Sequence, residues 1–340
     1  MSEGRGGGSL TVRREDLDRL EPEWRELLAR CPLAPVFHSP VWLKTWWEAF
    51  GSDRELLLLS VRDDGELVGV APLMRSGGHL AFAGDTEVCD YMDFTCADGR
   101  QPALLSAVLR SLSEEPWEDL TLWAMREDSP ALAALPAACA EMGLELQVEP
   151  EDVCPQIDLP SGSGGWDEYL AGLDKKDRHE LRRKLRRLPQ AGQPDLQVLA
   201  APAEVVAALD DFLRLHTASR AEKAAFMTDQ MTRFFRRLVS ALAEEGLLEM
   251  IFLRLGGKRV AAVLCFRGEG ETLLYNSGYD PEYAGFSVGL LSKALALQRA
   301  IELGHKRFDF LRGAEPYKYD LGARDLSVYR CIIRRARLDV

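Results

Sequence analysis

The sequence predicts an α+β protein with mixed sheets, built from two tandem copies of one domain. The chain has 340 residues, of which 46% are apolar, enough for two cores of ordinary size. An order of β-hairpin, third strand, helix and strand occurs twice, with the two hairpins 192 residues apart. A similarity at this period indicates a duplicated domain rather than a solenoid, because each copy is long enough to close its own core.

The first copy is preceded by two predicted helices. The first is amphipathic and runs from about Asp16 to Arg30; the second begins after Ser39, with Ser as N-cap and Pro40 as first helical residue. LLLLSVRDDGELVGVAPLM then predicts a strand, an Asp-Asp-Gly turn and a strand. A third strand near HLAFAG, a helix over 101–114 and the strand DLTLWAM complete the copy.

The second copy repeats these elements. When Gly65 is set over Gly257, Val68 aligns with Val260 and EMIFLRLGGKRVAAVLCF becomes the second hairpin. ETLLYNSG, a helix over 287–303 and KRFDFLRG then follow in the same order. The Gly/Ser-rich LPSGSGGW predicts the linker, which gives domains of residues 1–158 and 159–340. Two unrelated α/β domains with similar hairpins are the alternative.

Composition excludes several classes of function. The net charge of −12 argues against binding of DNA or an anionic membrane by the whole surface, although a local basic stripe can still meet phosphate. Seven scattered cysteines without a CxxC pair, and five histidines without metal-ligand spacing, predict neither disulfides nor a metal site. The chain shows no apolar targeting region and no membrane span, so we expect a cytoplasmic protein.

Two segments are candidate anion sites. The helix predicted from Ser287 has no carboxylate in its first turn, so backbone N–H groups near Phe286, Ser287 and Gly289 can bind an anion; alternatively Ser287 is only the N-cap. GFSVG also fits the G-x-S-x-G pattern of serine hydrolases, but His305 is predicted at the far end of the same helix, which disfavours that mechanism.

The second segment is the basic helix LDKKDRHELRRKLRRLPQAG. Its leucines fall on one face, and its lysines and arginines cover the rest. Arg178 and Arg182 are candidate phosphate ligands, and a merely solvated face is the alternative.

Acidic residues follow the third strand of the first copy. In CDYMDF, Asp90, Tyr91 and Asp93 are candidate ligands for a cationic amine substrate. They are equally compatible with an ordinary loop.

Taken together, these segments resemble a known family. The order LDKKDRHELRRKLRRL, hairpin, GFSVGLLSKALALQRAIELG and FDFLRGAEPYKYDLG is similar to the GNAT-fold acyltransferases of the FemAB-like set, closest to the BioF2-like or CelD-like acetyltransferases. The resemblance covers roughly residues 35–335, and its most specific element is the strand ending in Arg-Gly before Tyr317 and Lys318. It implies two GNAT-like domains.

The resemblance implies transfer of an acyl group, with acetyl-CoA or another acyl-CoA as co-substrate, to a small-molecule or peptide amine. The donor's pyrophosphate would lie on the helix start at Phe286 to Gly289. A thioester needs positioning, removal of the amine proton and stabilisation of the oxyanion. We therefore expect Asp309 to accept a proton, Tyr317 to protonate the leaving thiolate and Lys318 to neutralise phosphate or oxyanion.

Two alternatives remain. The FemAB relatives use aminoacyl-tRNA and a cell-wall precursor, but this chain has a single basic helix where they have a long helical hairpin, which disfavours tRNA as donor. The other alternative is a GNAT-like module that binds a ligand without catalysis, since no unmistakable general base is visible.

Overall fold

The computed structural model describes residues 10–31, 36–160 and 165–335. It confirms the predicted α+β fold with mixed sheets. The helices are α1 (Leu17–Leu28), α2 (Pro40–Phe50), α3 (Gln101–Ser113), α4 (Pro130–Glu141), α5 (Gly165–Gly172), α6 (Lys175–Arg187), α7 (Pro202–Ser219), α8 (Ala221–Phe226), α9 (Asp229–Glu244), α10 (Val288–Glu302) and α11 (Pro316–Asp320).

The strands alternate with these helices along the chain. They are β1 (Thr11–Arg14), β2 (Glu55–Asp63), β3 (Glu66–Ser76), β4 (His79–Phe82), β5 (Thr95–Cys96), β6 (Asp119–Arg126), β7 (Leu144–Asp158), β8 (Pro194–Leu199), β9 (Leu248–Leu255), β10 (Lys258–Gly268), β11 (Glu271–Tyr279), β12 (Arg307–Asp309) and β13 (Arg324–Arg335).

The described residues form two compact units. The first comprises those up to Asp152 together with those from Ser327 onward, and the second comprises those from Val153 to Leu326. The predicted linker LPSGSGGW falls partly on residues 161–164, which lie outside the described residues. No helix in the described ranges is long and apolar enough to cross a membrane.

The first unit orders its strands β1-β2-β3-β4-β6-β13. All neighbours are antiparallel except β4 and β6, which run parallel from His79 opposite Asp119 to Ala81 opposite Thr121. Large aromatic side chains such as Trp24, Trp42 and Trp46 are fully buried in this unit.

The second unit orders its strands β8-β9-β10-β11-β12, and β12 pairs with the last residues of β7. Successive side chains of a strand point to opposite faces of the sheet, and the sheet of the second unit buries apolar residues on both faces. On one face, Ile251 and Val263 join the core formed with α5, α6 and α10. On the other, Phe235 of α9 stacks on Tyr275 of β11.

The units repeat one architecture, in agreement with the sequence offset. β3 and β10 have bounds 192 residues apart, and the parallel pair β4–β6 corresponds to the parallel pair β11–β12, which begins at Glu271 opposite Arg307. In each unit this pair follows the antiparallel hairpin. The duplication inferred from sequence is therefore also visible in strand pairing.

The copies differ in the segment that pairs with the second strand of each hairpin. In the second unit Cys265 pairs with Leu274 and Ala261 with Tyr279, so the two partners are five residues apart. In the first unit the matching residues, Leu73 and Gly69, pair with Phe82 and Cys96, which are fourteen residues apart. The first copy therefore contains an excursion between β4 and β5, and the predicted residues of CDYMDF lie on it.

The final segment differs from its sequence prediction. The strand predicted over FDFLRG has only three residues, and a short helix, α11, follows it. Between them Leu311 adopts a positive φ of 58°, which is uncommon for a residue with a side chain. The chain thus turns sharply after Asp309.

Candidate active site

The second unit contains a splayed pair of parallel strands. β11 and β12 pair only from Glu271 opposite Arg307 to Leu273 opposite Asp309. β11 continues to Tyr279 along β10, with a register shift at Leu264 and Cys265, whereas β12 ends. The edge of β11 beyond Leu273 is therefore available to side chains from other elements.

The end of α7 approaches this part of β11 closely. A Cβ atom at Gly278 would lie 2.3 Å from the backbone nitrogen of His216, so only glycine permits the contact. Nδ1 of His216 lies 3.0 Å from the carbonyl oxygen of Ser277, and Nζ of Lys223 in α8 donates to the same oxygen at 2.5 Å.

Burial lowers the pKa of both side chains. Burial, followed by the charge of Lys223, lowers the pKa of His216 to about 4, so its ring is neutral near pH 7. A neutral ring that donates from Nδ1 has an acceptor at Nε2, and this buried Nε2 has no hydrogen-bond partner among the described residues. Burial, together with the charge of Arg220, lowers the pKa of Lys223 to about 8.

The start of α10, where an anion site was predicted, has two backbone N–H groups that the described residues leave without an acceptor. Val288 and Gly289 donate their backbone N–H groups to no acceptor within the described residues. The expectation for Ser287 is wrong, because its N–H donates to the carbonyl of Ala284 at 2.9 Å. Ser287 itself adopts a left-handed conformation with φ of 59°.

Packing also requires a glycine at position 289. A Cβ atom there would lie 2.7 Å from Cδ1 of Tyr279, whereas one at Gly285 would meet nothing within 4 Å. Phe286 is half-buried at the end of the 3-10 turn that precedes the helix. Only one of the two glycines is therefore needed for packing.

Lys293 lies one turn into α10 and is 8% exposed. Its Nζ donates to the carbonyl of Gly289 at 2.7 Å and lies 4.8 Å from the ring centroid of Tyr317. Burial, and then the charges of Lys223 and Arg220, lower its pKa to about 7. We call Arg220, Lys223 and Lys293 the basic cluster.

Asp309 and Lys318 hold the turn after β12. The Asp309 carboxylate is fully buried and accepts the N–H of Leu311 at 2.7 Å. Nζ of Lys318 is likewise buried and donates to the carbonyls of Leu311, Arg312 and Gly313 at 2.9, 2.9 and 2.7 Å. The catalytic roles expected for both side chains stay predictions, and this burial gives a substrate no access to either one.

Lys318 also forms an ion pair with Glu315, at 2.8 Å between Nζ and Oε2. Tyr317, by contrast, is only half-buried and faces Lys293. Burial, reinforced by Glu315, raises the pKa of its phenol, so the hydroxyl keeps its proton over the physiological range. Tyr317 is therefore the one member of the predicted catalytic trio that adjoins the helix start.

The basic helix, α6, contains the other predicted phosphate ligands. Arg178 donates to the carbonyls of Ala171 and Leu173, so its guanidinium secures the preceding loop. Arg182 is exposed and forms no ion pair within the described ranges. Arg182 is thus the better placed of the two for a ligand.

The predicted amine ligands lie in the first unit. Tyr91 is fully buried, with the guanidinium of Arg126 4.9 Å above its ring. Asp93 accepts a hydrogen bond from Ser129 Oγ at 2.5 Å and one from the backbone of Phe94, and burial raises its pKa to about 6. Asp90 is half-buried. An amine-binding role for these residues stays a prediction.

Sequence reasoning missed the residues that border the splayed strands. His216 and Lys223 come from α7 and α8, and Arg220 from the junction between them, a region that the sequence analysis did not consider. Lys293 had a recognisable signal, because it falls within the buried apolar face of VGLLSKALALQRA. A charged residue at such a position is rarely fully buried unless it has a partner or a function.

Part of the chain matches the model of a known protein family. Residues 175–319 match the family model described as an acetyltransferase (GNAT) domain. No curated protein sequence matches the chain. In the described part of the chain, no group of His, Cys, Asp and Glu side chains is arranged to hold a metal ion.

Solved structures similar to this chain have low sequence identity. FemX has a TM-score of 0.63 at 12% identity, with 94% of this chain and 96% of FemX covered. The C-terminal domain of a putative lysylphosphatidylglycerol synthetase from Agrobacterium fabrum has 0.60 at 12% identity, covering 95% and 93%. L-PGS from Bacillus licheniformis has 0.59 at 14% identity, covering 98% and 95%.

At these identities the structural likeness concerns the fold. Residues 175–319 are therefore similar to a GNAT-type acetyltransferase domain, and the resemblance to FemAB-like acyltransferases predicted from the sequence is confirmed at the level of the fold.

Proposed function

We propose that the chain is an N-acyltransferase that moves an acyl group from acyl-CoA to an amine, and that the reaction takes place in the second unit. The observation that carries the proposal is the splay of β11 and β12 beside a helix start with two available N–H groups, at Val288 and Gly289. Such a helix start favours a phosphate group, because its N–H groups and its dipole both attract negative charge.

The pyrophosphate of the donor would lie on Val288 and Gly289. Arg182 of the basic helix can add a bidentate contact to a phosphate, since α6 packs against α10 and its guanidinium is exposed. The acyl group would then extend along the open edge of β11, toward Tyr317 and Lys293.

Tyr317 would be the proton donor. The amine attacks the thioester carbon as the free base, a tetrahedral oxyanion forms, and the C–S bond then breaks. The thiolate takes the phenolic proton, and the proton lost by the new amide nitrogen restores the phenol through water. Burial raises the pKa of this phenol, so Tyr317 carries its proton when the thiolate forms.

Asp309 and Lys318 would act as positioning residues. Both hold the turn that presents Tyr317, Asp309 through Leu311 and Lys318 through three carbonyls. Their loss would displace Tyr317 rather than remove a group that touches the substrate.

Release of free thiol from acetyl-CoA, measured with a panel of amines, tests the proposal. Thiol release that depends on an amine, and that Tyr317→Phe lowers, would support it. Binding of acetyl-CoA without turnover of any amine would favour the non-catalytic module instead.

A second candidate is FemAB-type transfer from aminoacyl-tRNA. Two observations favour it: one solved structure of the same fold is named a lysylphosphatidylglycerol synthetase domain, and α6 exposes cations that form no ion pair within the described residues. These cations are Lys175, Lys176, Arg182, Arg186 and Arg187. Absence of acetyl-CoA binding, together with salt-sensitive binding of charged tRNA, would favour this function over the first.

A further inference from the structure

The basic cluster carries more positive charge than the protein compensates. Among the described residues, Arg220, Lys223 and Lys293 form no ion pair, and the two lysines donate only to backbone carbonyls. The nearby carboxylate, Glu315, already pairs with Lys318. A buried cation such as Lys293 is costly without a counter-charge, and the two neighbouring cations add to this cost, so the cluster favours a ligand that supplies negative charge.

The three cations also form a series of increasing depth. Arg220 is exposed, Lys223 is half-buried and Lys293 is 8% exposed. A lysine ammonium has three donors, and each of these lysines uses one on a backbone carbonyl, at Ser277 or at Gly289. Each lysine therefore keeps two N–H donors that bind no other group among the described residues.

We propose that the basic cluster binds an anionic oxygen group, a carboxylate or a phosphate, on the amine that this site acylates. The inference rests on the proposed function for the identity of the ligand as an acceptor. The binding site itself rests on the arrangement of the three cations. The acceptor class would be amines such as amino acids or phosphate-bearing amines, rather than simple alkylamines.

Groups on every packed element contribute to the charge of the cluster. His216 of α7 is neutral near pH 7, and Arg220 and Lys223 add positive charge. The segment after β12 adds the negative charge of Glu315 and the positive charge of Lys318, and Tyr317 there is neutral. Burial lowers the pKa of Lys293 to about 7 and that of Lys223 to about 8, so both ammonium groups lose a proton more readily than a solvated lysine does. An anion would raise both pKa values and draw protons in.

The experiment is a pH titration of protein labelled with ¹³C at the lysine ε-carbons. The chain has few lysines, and Lys223→Met and Lys293→Met assign the two signals. The probes are N-acetylglycine, its neutral analogue N-acetylglycinamide, and inorganic phosphate. Lys258, which pairs with Asp280 at 3.1 Å, is the reference signal in the same unit.

We expect N-acetylglycine or phosphate to raise the titration midpoints of Lys223 and Lys293 by at least about one pH unit, a tenfold change in proton affinity. The two anions distinguish carboxylate from phosphate. Midpoints that neither anion moves, or that the neutral amide moves equally, would overturn the inference.

A kinetic comparison separates this inference from the proposed function. Glycine should be acylated at least about tenfold more efficiently than glycinamide, since only glycine carries the carboxylate. Equal efficiency would remove the acceptor assignment while leaving the acyltransferase. If no amine releases thiol, the proposed function fails, and the titration alone then decides whether the cluster binds anions.

Discussion

Replacing Lys293 by methionine should stabilise the second unit below neutral pH, and this gain should disappear at high pH. Lys293 has a pKa near 10.5 in the unfolded chain and about 7 in the folded protein. Between pH 7 and pH 10.5 the unfolded chain binds a proton that the folded chain lacks. The free energy of unfolding of the wild type therefore increases as the pH rises through this range. Below pH 7 both states hold the proton, and the full cost of the buried ammonium is present.

The magnitude follows from the pKa difference. The interval from 10.5 to about 7 corresponds to ~5 kcal/mol, an upper bound because relaxation and water penetration lower the cost of a buried charge. Methionine removes this cost but also loses the hydrogen bond to Gly289, ~1 kcal/mol, and the contact with the Tyr317 ring, ~1 to 2 kcal/mol. We expect a net gain of ~2 kcal/mol at pH 6 that has disappeared by pH 10.

The assay is urea unfolding read by pulsed hydrogen exchange of peptides from α10, because six of the seven tryptophans belong to the first unit and fluorescence would report mainly on it. The control is Lys258→Met, which removes an exposed lysine and should leave the pH dependence between pH 7 and 9 unchanged. A difference between Lys293→Met and wild type that is constant from pH 6 to pH 10 would refute a depressed lysine pKa. Lower stability of the variant at pH 6 would refute it too.

Three further predictions concern the site. Gly289→Val places a side chain against the ring of Tyr279, so its affinity for acetyl-CoA, measured by calorimetry, should be at least about tenfold lower than that of the wild type. The added methyl group of Gly285→Ala meets no neighbour, so this control variant should bind acetyl-CoA as the wild type does. Tyr317→Phe should lower kcat about 100-fold with little change in KM, measured by thiol release, and an unchanged kcat would remove it as the proton donor. Lys318→Met should lower the free energy of unfolding of the second unit by ~3 kcal/mol in the urea assay, because three carbonyls and a carboxylate lose their buried partner. An unfolding free energy equal to that of the wild type within error would contradict the role of Lys318 in the turn.

Patterns of local sequence were sufficient for much of the fold. Hydrophobic alternation predicted the hairpins, and the Ser39-Pro40 start of α2 has the predicted cap, with Ser39 Oγ accepting the N–H of Trp42. The offset set by Gly65 and Gly257 also predicted the correspondence of strands. Each of these signals comes from residues that are close together in the chain or from a repeated pattern.

The candidate site depended on contacts that local sequence does not show. Lys318 was predicted to face a ligand, but it is enclosed by the carbonyls of a turn that depends on the positive φ of Leu311. Lys223 reaches Ser277 from an element 54 residues away in sequence. The position of a lysine in the sequence does not show whether its ammonium donates to backbone carbonyls or is free to bind an anion. Burial and neighbouring groups in the folded protein determine which of the two it does.

The first unit shows the same limit. Asp93 stood out because carboxylates follow a strand, but its hydrogen bond from Ser129 depends on the excursion between β4 and β5. Nothing in CDYMDF indicates that this loop folds inward.

Calorimetric titration of acetyl-CoA into the full chain tests the central claim most directly. If acyl-CoA is the donor and its pyrophosphate lies on the start of α10, wild type and Gly285→Ala should bind equally, and Gly289→Val should bind at least about tenfold more weakly. Absence of binding to the wild type would contradict acyl-CoA as the donor, and unchanged binding to Gly289→Val would contradict the position assigned to it.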